Sequence, residues 1–490
     1  MIPPLRPRVE LLSRALLDKI VEEAFVLLER EGVFVENPEA RLLFREAGQA
    51  VDEANGRVRI GRGLIEASLA TVPPRIALFD RSGERSFVVG GDEVHFDPGS
   101  TAVRLHDHGT RRERQAETRD LIDLVRVTEA CENIHFQSTA LISSDVPEIL
   151  ADSYRLLVGL LYSAKPVVTG TFRVEGFRPM LEMLTAVRGG GEELRRKPLA
   201  IFDACPSPPL KWSHLTAQSL IDAARAGIPS ELISMGLTGA TSPVTLAGTL
   251  VQHTAENLSG LVICQLARSG APVIFGGSPA AFDMRKGTTP MGAMETMMID
   301  MAYAQIGKSL NLPTHAYMGL SDAKVVDSQA GFETGIGAVL AALAGINVVS
   351  GAGMLDFESA QSLEKLVIDD EICGMAFRLV EGIAQREDPL ALHLFAGFGP
   401  ESEFLSLAHT RSWYRREHRF PRLADRNTYE AWVGEGCPSN ADRAHERVAE
   451  ILRTAEPRLP DPALGAELVR IMSAEAGRNG VSRLPEIRIG

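Results

Sequence analysis

Apolar positions recur at helical spacing from Ser13 to Glu31, at Leu16, Leu17, Ile20, Ala24, Leu27 and Leu28. Gly32 follows where a helix C-terminal cap belongs. Pro38 to Glu46 predicts a second short helix and Gly63 to Ala70 a third. The stretch from Ile76 to Val94 predicts short strands joined at Ser82-Gly83 and Gly90-Gly91. Residues 1–99 therefore form an appendage of helices and small strands packing on a larger body.

Beyond that the pattern becomes regular. Apolar runs of strand length fall at Ile134–Leu141, Pro166–Phe172, Leu199–Cys205, Glu231–Leu237, Pro272–Phe275, Thr314–Met318 and Asn347–Ser350. Phe404–Ala408 is the eighth, with Ala391–Gly399 competing for its place. Helix-length periodic segments lie between them: Val146–Tyr162, Phe177–Val187, Ser213–Ala226, Leu250–Ser269, Ala293–Leu310, Ser328–Ala344 and Ala360–Val380. Alternation of this kind, eight strands deep, predicts an α/β fold of the (β/α)8 TIM-barrel type over residues 100–432. A doubly wound open sheet is disfavoured because no strand runs into a GxGxxG turn. Residues 433–490 read as a C-terminal extension ending in a helix, Ala463–Ala476.

Composition narrows the function classes. Lysine and arginine number 51 against 64 acids, a net charge of −13, which argues against a nucleic-acid surface. Such a surface suits a cationic substrate, and equally suits solubility alone. The five cysteines are scattered without a CxxC pair, as expected of reduced thiols in a cytoplasmic protein. The N-terminus lacks the apolar core of a signal peptide, and no apolar run nears the roughly 20 residues of a membrane span. A homo-oligomer is left open.

In a barrel, chemistry collects in the loops that follow the strands. Polar residues there are Gln137, Ser138, Thr169, Thr171, Asp203, Thr238, Thr241, Ser278, Asp283, Ser321, Asp322, Lys324, Ser350, Asp356, His409 and Thr410. Phe172, Phe202, Phe275, Phe282, Tyr317 and Phe357 fall among them. Carboxylates mixed with aromatic faces suit a desolvated organic cation, although each aromatic reads equally as core. The segment from Pro313 to Glu333 is the centre of interest: an apolar strand, a polar loop and a helix start at Asp327. Its Lys324 could form a Schiff base if buried, hold a substrate carboxylate, or simply pair with Asp322 or Asp327. Gln329 and Glu333, four residues apart, share one helix face aimed at the mouth or at solvent. Gly276, Gly277 and Gly351 let a large flat ligand or another protein approach the backbone, or are merely tight turns. The histidines offer no metal pattern: His106-Asp-His108 lies in a charged loop with Arg111, Arg112 and Arg114, and no HExxH exists.

Three stretches carry a resemblance. His95-Phe-Asp-Pro-Gly-Ser100, Ser321-Asp-Ala-Lys-Val-Val-Asp-Ser-Gln-Ala-Gly-Phe-Glu333 and His418-Arg-Phe-Pro-Arg-Leu-Ala-Asp-Arg426 resemble the trimethylamine:corrinoid methyltransferase family. The likeness runs from the N-terminal helix to Trp432. It implies a TIM barrel that passes a methyl group from an amine to Co(I) of a separate corrinoid protein docked over the mouth, with no permanently bound cofactor. Archaeal relatives carry pyrrolysine, at a position in or beside the Ser321–Lys324 loop, where this sequence has only standard residues. The resemblance thus points to the non-pyrrolysine branch, which acts on quaternary amines such as glycine betaine. It further implies roles for Asp322, Lys324, Gln329 and Glu333 in catalysis. Tyr317, Phe172 and Phe282 become cage candidates, with Asp97, Asp203 or Asp322 as charge partners. Lys324 or Arg285 is a partner for a betaine carboxylate, and His409 orients substrate or meets the corrinoid. The alternatives are a Schiff-base lyase of aldolase type using Lys324, or a protein that binds methylamines without turning them over.

Overall fold

The computed structural model describes residues 3–487. Eight parallel strands close on themselves: β1 His95–Asp97, β2 Gln137–Ser138, β3 Val167–Thr169, β4 Ala200–Ala204, β5 Ser230–Ser234, β6 Val273–Gly277, β7 His315–Tyr317 and β8 Val348–Ser350. Ladders join β2 through β6 in chain order, and β7 to β8 to β1. Single bridges between Phe96 and Ile134 and between Phe275 and Thr314 close the two remaining seams. Each strand is followed by a helix, from Thr118–Ala130 after β1 to Leu363–Val380 after β8. The barrel expected from the alternation is therefore present.

Its membership differs from the expectation at one place. Phe404–Ala408 is not a strand: Phe404 packs against Phe395 and Phe398, with ring centroids 5.4 and 4.8 Å apart, and Ala408 opens the helix Ala408–Glu417. The barrel is closed instead by His95–Asp97, inside the stretch expected to be appendage, pairing in register with Val348–Ser350. Three residues, two of them polar, give no apolar run to read. They are buried because both neighbouring strands and a hairpin cover them.

That hairpin, Arg75–Phe79 with Ser86–Gly90, seals the N-terminal end of the barrel. Its Ile76, Leu78, Phe87 and Val89 form one buried cluster with Phe136, Val168, Ile201, Ile274 and Val348, which come from five barrel positions. The hydrophobic plug leaves the C-terminal mouth as the end open to chemistry. The helices Arg14–Arg30 and Arg62–Leu69 pack on Leu246–Ala267, which is consequently buried nearly all round, as its lack of amphipathicity demands. Asn440–Thr454 and Pro462–Arg478 wrap the opposite flank, the first against Leu363–Val380 and the second against Phe177–Arg188. Among the described residues no helix is long and apolar enough to cross a membrane.

Candidate active site

Side chains alternate along a strand, so the residues inward of the plug can be followed in register. Asp203 pairs with Glu231 across β4 and β5, and Asp97 with Ser350 and then Tyr317 across β1, β8 and β7. Above a floor of isoleucine, valine and phenylalanine, the barrel thus turns polar and acidic.

The hydrogen bonds fix its protonation. Ser350 Oγ donates to Asp97 Oδ2 at 2.7 Å, so it must accept from His315 Nε2, 3.0 Å away. His315 is then the Nε2–H tautomer, with the bare Nδ1 facing Glu231 Oε1 at 3.7 Å. Burial drives the His315 pKa down to about 3, which keeps the ring neutral. Asp97 also accepts from the Gly99 amide, yet burial pushes its pKa up to about 7. Asp203 rises to about 7 as well, again chiefly by burial, and Glu231 is raised well above the usual carboxylate range by burial and by the charge of Asp203. No N–H or O–H of the described residues reaches either oxygen of Glu231 or Oδ1 of Asp203. Two carboxyls facing one another without a donor share a proton at neutral pH.

Glu358 completes the acidic layer. Asp356, Phe357 and Glu358 have φ of 49°, 53° and 68°, three successive non-glycine residues in the left-handed region. Such a run is costly and marks a segment held by its surroundings. It turns the Glu358 carboxyl inward, where Oε1 is shielded and unpartnered, and burial and the Asp322 charge lift its pKa to about 8. Its charge acts on Tyr317, Cys205 and Asp300. The buried Arg155 lies within electrostatic reach of Asp203, donates to the Thr139 carbonyl, and stacks on Phe172 at 4.6 Å.

The loop after β7 is organised differently from its sequence reading. Asp322 accepts the amides of Met291 and Gly292, both at 2.9 Å, and thereby ties the loop after β6 to the loop after β7. Burial raises its pKa to about 6. Glu333 accepts from Ser321 Oγ at 2.5 Å, from the Asp322 amide at 2.8 Å and from Gln329 Nε2 at 3.0 Å. Glu333 and Gln329 thus share a face that holds the loop. Lys324 is 54% exposed, donates to the Asp322 carbonyl, pairs with Asp356 at 3.1 Å and lies over the Phe357 ring. An exposed, ion-paired ammonium is a poor Schiff-base nucleophile.

Other candidates separate. Tyr317 is buried at the mouth, its hydroxyl 2.6 Å from Ser100 Oγ and its ring edge-on to His315. Phe172 is 41% exposed, and Phe282 is half-buried on the loop after β6, its amide bonded to Thr238. Arg285 is engaged by Asp283 in a bidentate pair. His409 follows no strand: it sits on Ala408–Glu417, outside the barrel, 3.4 Å from Glu387. Gly276, Gly277 and Gly351 are buried, and a Cβ on each would meet His315, His253 and Leu320 at 2.9, 2.4 and 2.8 Å. Their missing side chains make room for this chain rather than for a visitor. Glu231, Glu358, Arg155 and His315 escaped sequence reasoning; a glutamate inside the apolar run Ser-Glu-Leu-Ile-Ser was the one available signal.

The trimethylamine methyltransferase (MTTB) family model matches residues 2–474, nearly the whole chain. The chain belongs to the trimethylamine methyltransferase family. This methyltransferase is 36% identical to the trimethylamine methyltransferase MttB of Methanosarcina barkeri over 433 residues, 86% of each protein. It is 32% identical to MttB of Desulfitobacterium hafniense, covering 93% of this chain and 92% of the relative. The glycine betaine methyltransferase of Desulfitobacterium hafniense is also 32% identical, over 95% of this chain and 96% of that one. The crystal structure of the Methanosarcina barkeri monomethylamine methyltransferase MtmB superposes with a TM-score of 0.55 at 11% identity, over 92% and 90% of the two chains. At that identity it speaks for the shared fold of the methyltransferase barrel alone. The family's enzymes act on a corrinoid protein.

Proposed function

We propose that this methyltransferase takes a methyl group from a quaternary ammonium of the betaine class and passes it to Co(I) of a separate corrinoid protein docked over the mouth. The observation that carries the reading is the acidic layer beside Tyr317, made of buried Asp97 and Glu231 with half-buried Asp203 and Glu358. Four carboxyls at the mouth, three of them with pKa values near 7 or 8, face a single buried cation among the described residues, Arg155, and so are short of positive charge. A permanently charged headgroup supplies it and is held by charge and by the tyrosine face. Arg155 is assigned to the betaine carboxylate.

A protonated tertiary amine would satisfy the acids equally well, so the leaving group decides. Breaking C–N in a tertiary amine leaves an amide-like anion unless nitrogen is first activated. A quaternary nitrogen keeps the bonding pair and departs as a neutral amine, while cobalt supplies the pair for the new Co–C bond. The loop 318–327 offers only standard side chains, and its lysine is exposed and paired. Nothing there activates a tertiary amine covalently, and the quaternary substrate needs no such step. The protein's task is then positioning and exclusion of water. Similarity to relatives named for trimethylamine and for glycine betaine at like identity is compatible with either substrate.

The test mixes purified protein, a corrinoid protein reduced to Co(I), and single substrates from a panel of glycine betaine, other betaines, carnitine, choline and trimethylamine. Methyl-Co(III) in the visible spectrum with a quaternary member is expected. Turnover of trimethylamine alone would overturn the assignment.

A further inference from the structure

A second cluster lies outside the barrel, where three distant parts of the chain meet. His108 follows the strand Arg104–Asp107, Glu364 is in the first turn of Leu363–Val380, and His445 is in Asn440–Thr454. One nitrogen of each histidine and one Glu364 oxygen lie within 4.8 Å of one another. His445 Nδ1 is 2.8 Å from Glu364 Oε1, whose partner oxygen accepts from Ser362 Oγ at 3.1 Å. The two imidazoles stack at 4.5 Å with 14° between their planes, so one ring must turn out of the stack for both in-plane lone pairs to meet one ion.

A separate observation points the same way. His106, in that strand and lining the same cavity as His108, is only 5% exposed, and neither ring nitrogen has a hydrogen-bond partner. A buried imidazole with both nitrogens idle is costly unless something is to be bound. His106 and His108 line one cavity of about 400 Å3 with Val325, Val326 and Asp442. Asp442 stands 3.7 Å from His108 Nε2, while its carboxylate caps the helix through Ser439.

We propose that His108, His445 and Glu364 bind a divalent first-row transition-metal ion. Two imidazoles and a carboxylate are borderline donors that suit zinc and its neighbours rather than calcium or magnesium. Glu364 is itself oriented by Ser362, as metal-bound carboxylates commonly are. The ion would clip the C-terminal helix to the barrel beside Val325 and Val326, in the loop after β7. The site is therefore a staple for that loop, distinct from the acidic layer.

The full chain, freed of metal by dialysis against EDTA, is titrated with Zn2+ alone by calorimetry, and with Co2+ followed by its visible absorption. One ion per chain is expected, with the d–d bands of a low-coordinate nitrogen and oxygen site and a higher thermal midpoint. His445→Ala, at an exposed position, and the double variant H108A/H445A are expected to weaken binding by about 100-fold or more. Far-ultraviolet circular dichroism checks that both variants fold. Absence of saturable Zn2+ binding in the folded wild type, or unchanged affinity in the folded double variant, overturns the proposal. Methyl transfer is not the readout, so failure here is separate from failure of the betaine assignment.

Discussion

Asp203→Asn should make the substrate-free protein more stable at alkaline pH while impairing betaine binding. Burial lifts the Asp203 pKa from 3.8 to about 7, against the contact with Glu231 and the charge of Arg155, which lower it. Below pH 3.8 the carboxyl is protonated in both the folded and the unfolded chain, and it contributes nothing. Between there and pH 7 the unfolded chain releases its proton while the folded chain keeps it, so stability falls as pH rises. Above pH 7 the penalty is complete. Three units at ~1.4 kcal/mol each give an upper bound of roughly 4 kcal/mol. Part of that is recovered because Glu231 holds the shared proton, leaving about 2–4 kcal/mol for the neutral asparagine to restore.

For 490 residues the unfolding entropy makes 1 kcal/mol worth only ~1 °C, so urea midpoints are the better measure. The gap between variant and wild type, measured at pH 5, 6, 7 and 8, should widen with pH and favour the variant. Affinity for glycine betaine should drop by at least about tenfold, ~1.4 kcal/mol. A variant less stable than wild type by the same margin at every pH would refute the reasoning. It would show Asp203 to be an ordinary hydrogen-bonding group rather than a stored charge.

Three further outcomes follow from the same geometry. Betaine affinity should rise between pH 6 and 7.5, by up to ~10-fold per unit for each proton released, and level off above pH 8; calorimetric enthalpies that change with buffer ionisation would reveal the released proton. Lys324→Ala removes an exposed ion pair worth ~0–1 kcal/mol, so stability and methyl transfer should change by no more than about fivefold, and borohydride should trap no adduct on the wild type. Lys365→Met should cost about 3–5 kcal/mol in a urea titration, because it strands Asp369 in a pair whose side chains are each only 1% exposed. Adding Asp369→Asn to Lys365→Met should recover much of that loss.

The alternation of apolar runs and periodic helices made seven of the eight strands legible, because each lies within or against a largely apolar run and is followed by a long helix. β1 was not, since His-Phe-Asp owes its place to neighbours 40 and 250 residues away rather than to any local preference. The apolar Phe404–Ala408 misled for the converse reason: apolar residues also make aromatic clusters on irregular chain. In the candidate site, Asp203 and Tyr317 were singled out because they stand at the ends of apolar runs, whereas Asp97 was reached only through the resemblance carried by His95–Ser100. Glu358 stayed hidden because its direction depends on three left-handed residues, and single-chain patterns do not encode φ. Gln329 and Glu333 were placed on one face correctly, but what that face does, bracing Ser321 and the Asp322 amide, required the fold.

The plug and the acidic layer belong to one design. With the lower end of the barrel filled by Ile76, Leu78, Phe87 and Val89, water reaches the carboxyls only from above. That raises their pKa values and makes the empty site expensive to ionise. The same exclusion makes a bound cation worth more there than at any surface, since its attraction to the carboxylates is least screened where solvent is absent. A site tuned this way binds weakly what is merely polar and strongly what is permanently charged. On the proposed reading, the stability lost in the empty barrel is the source of selectivity in the filled one, and Asp203 is the residue at which both can be measured.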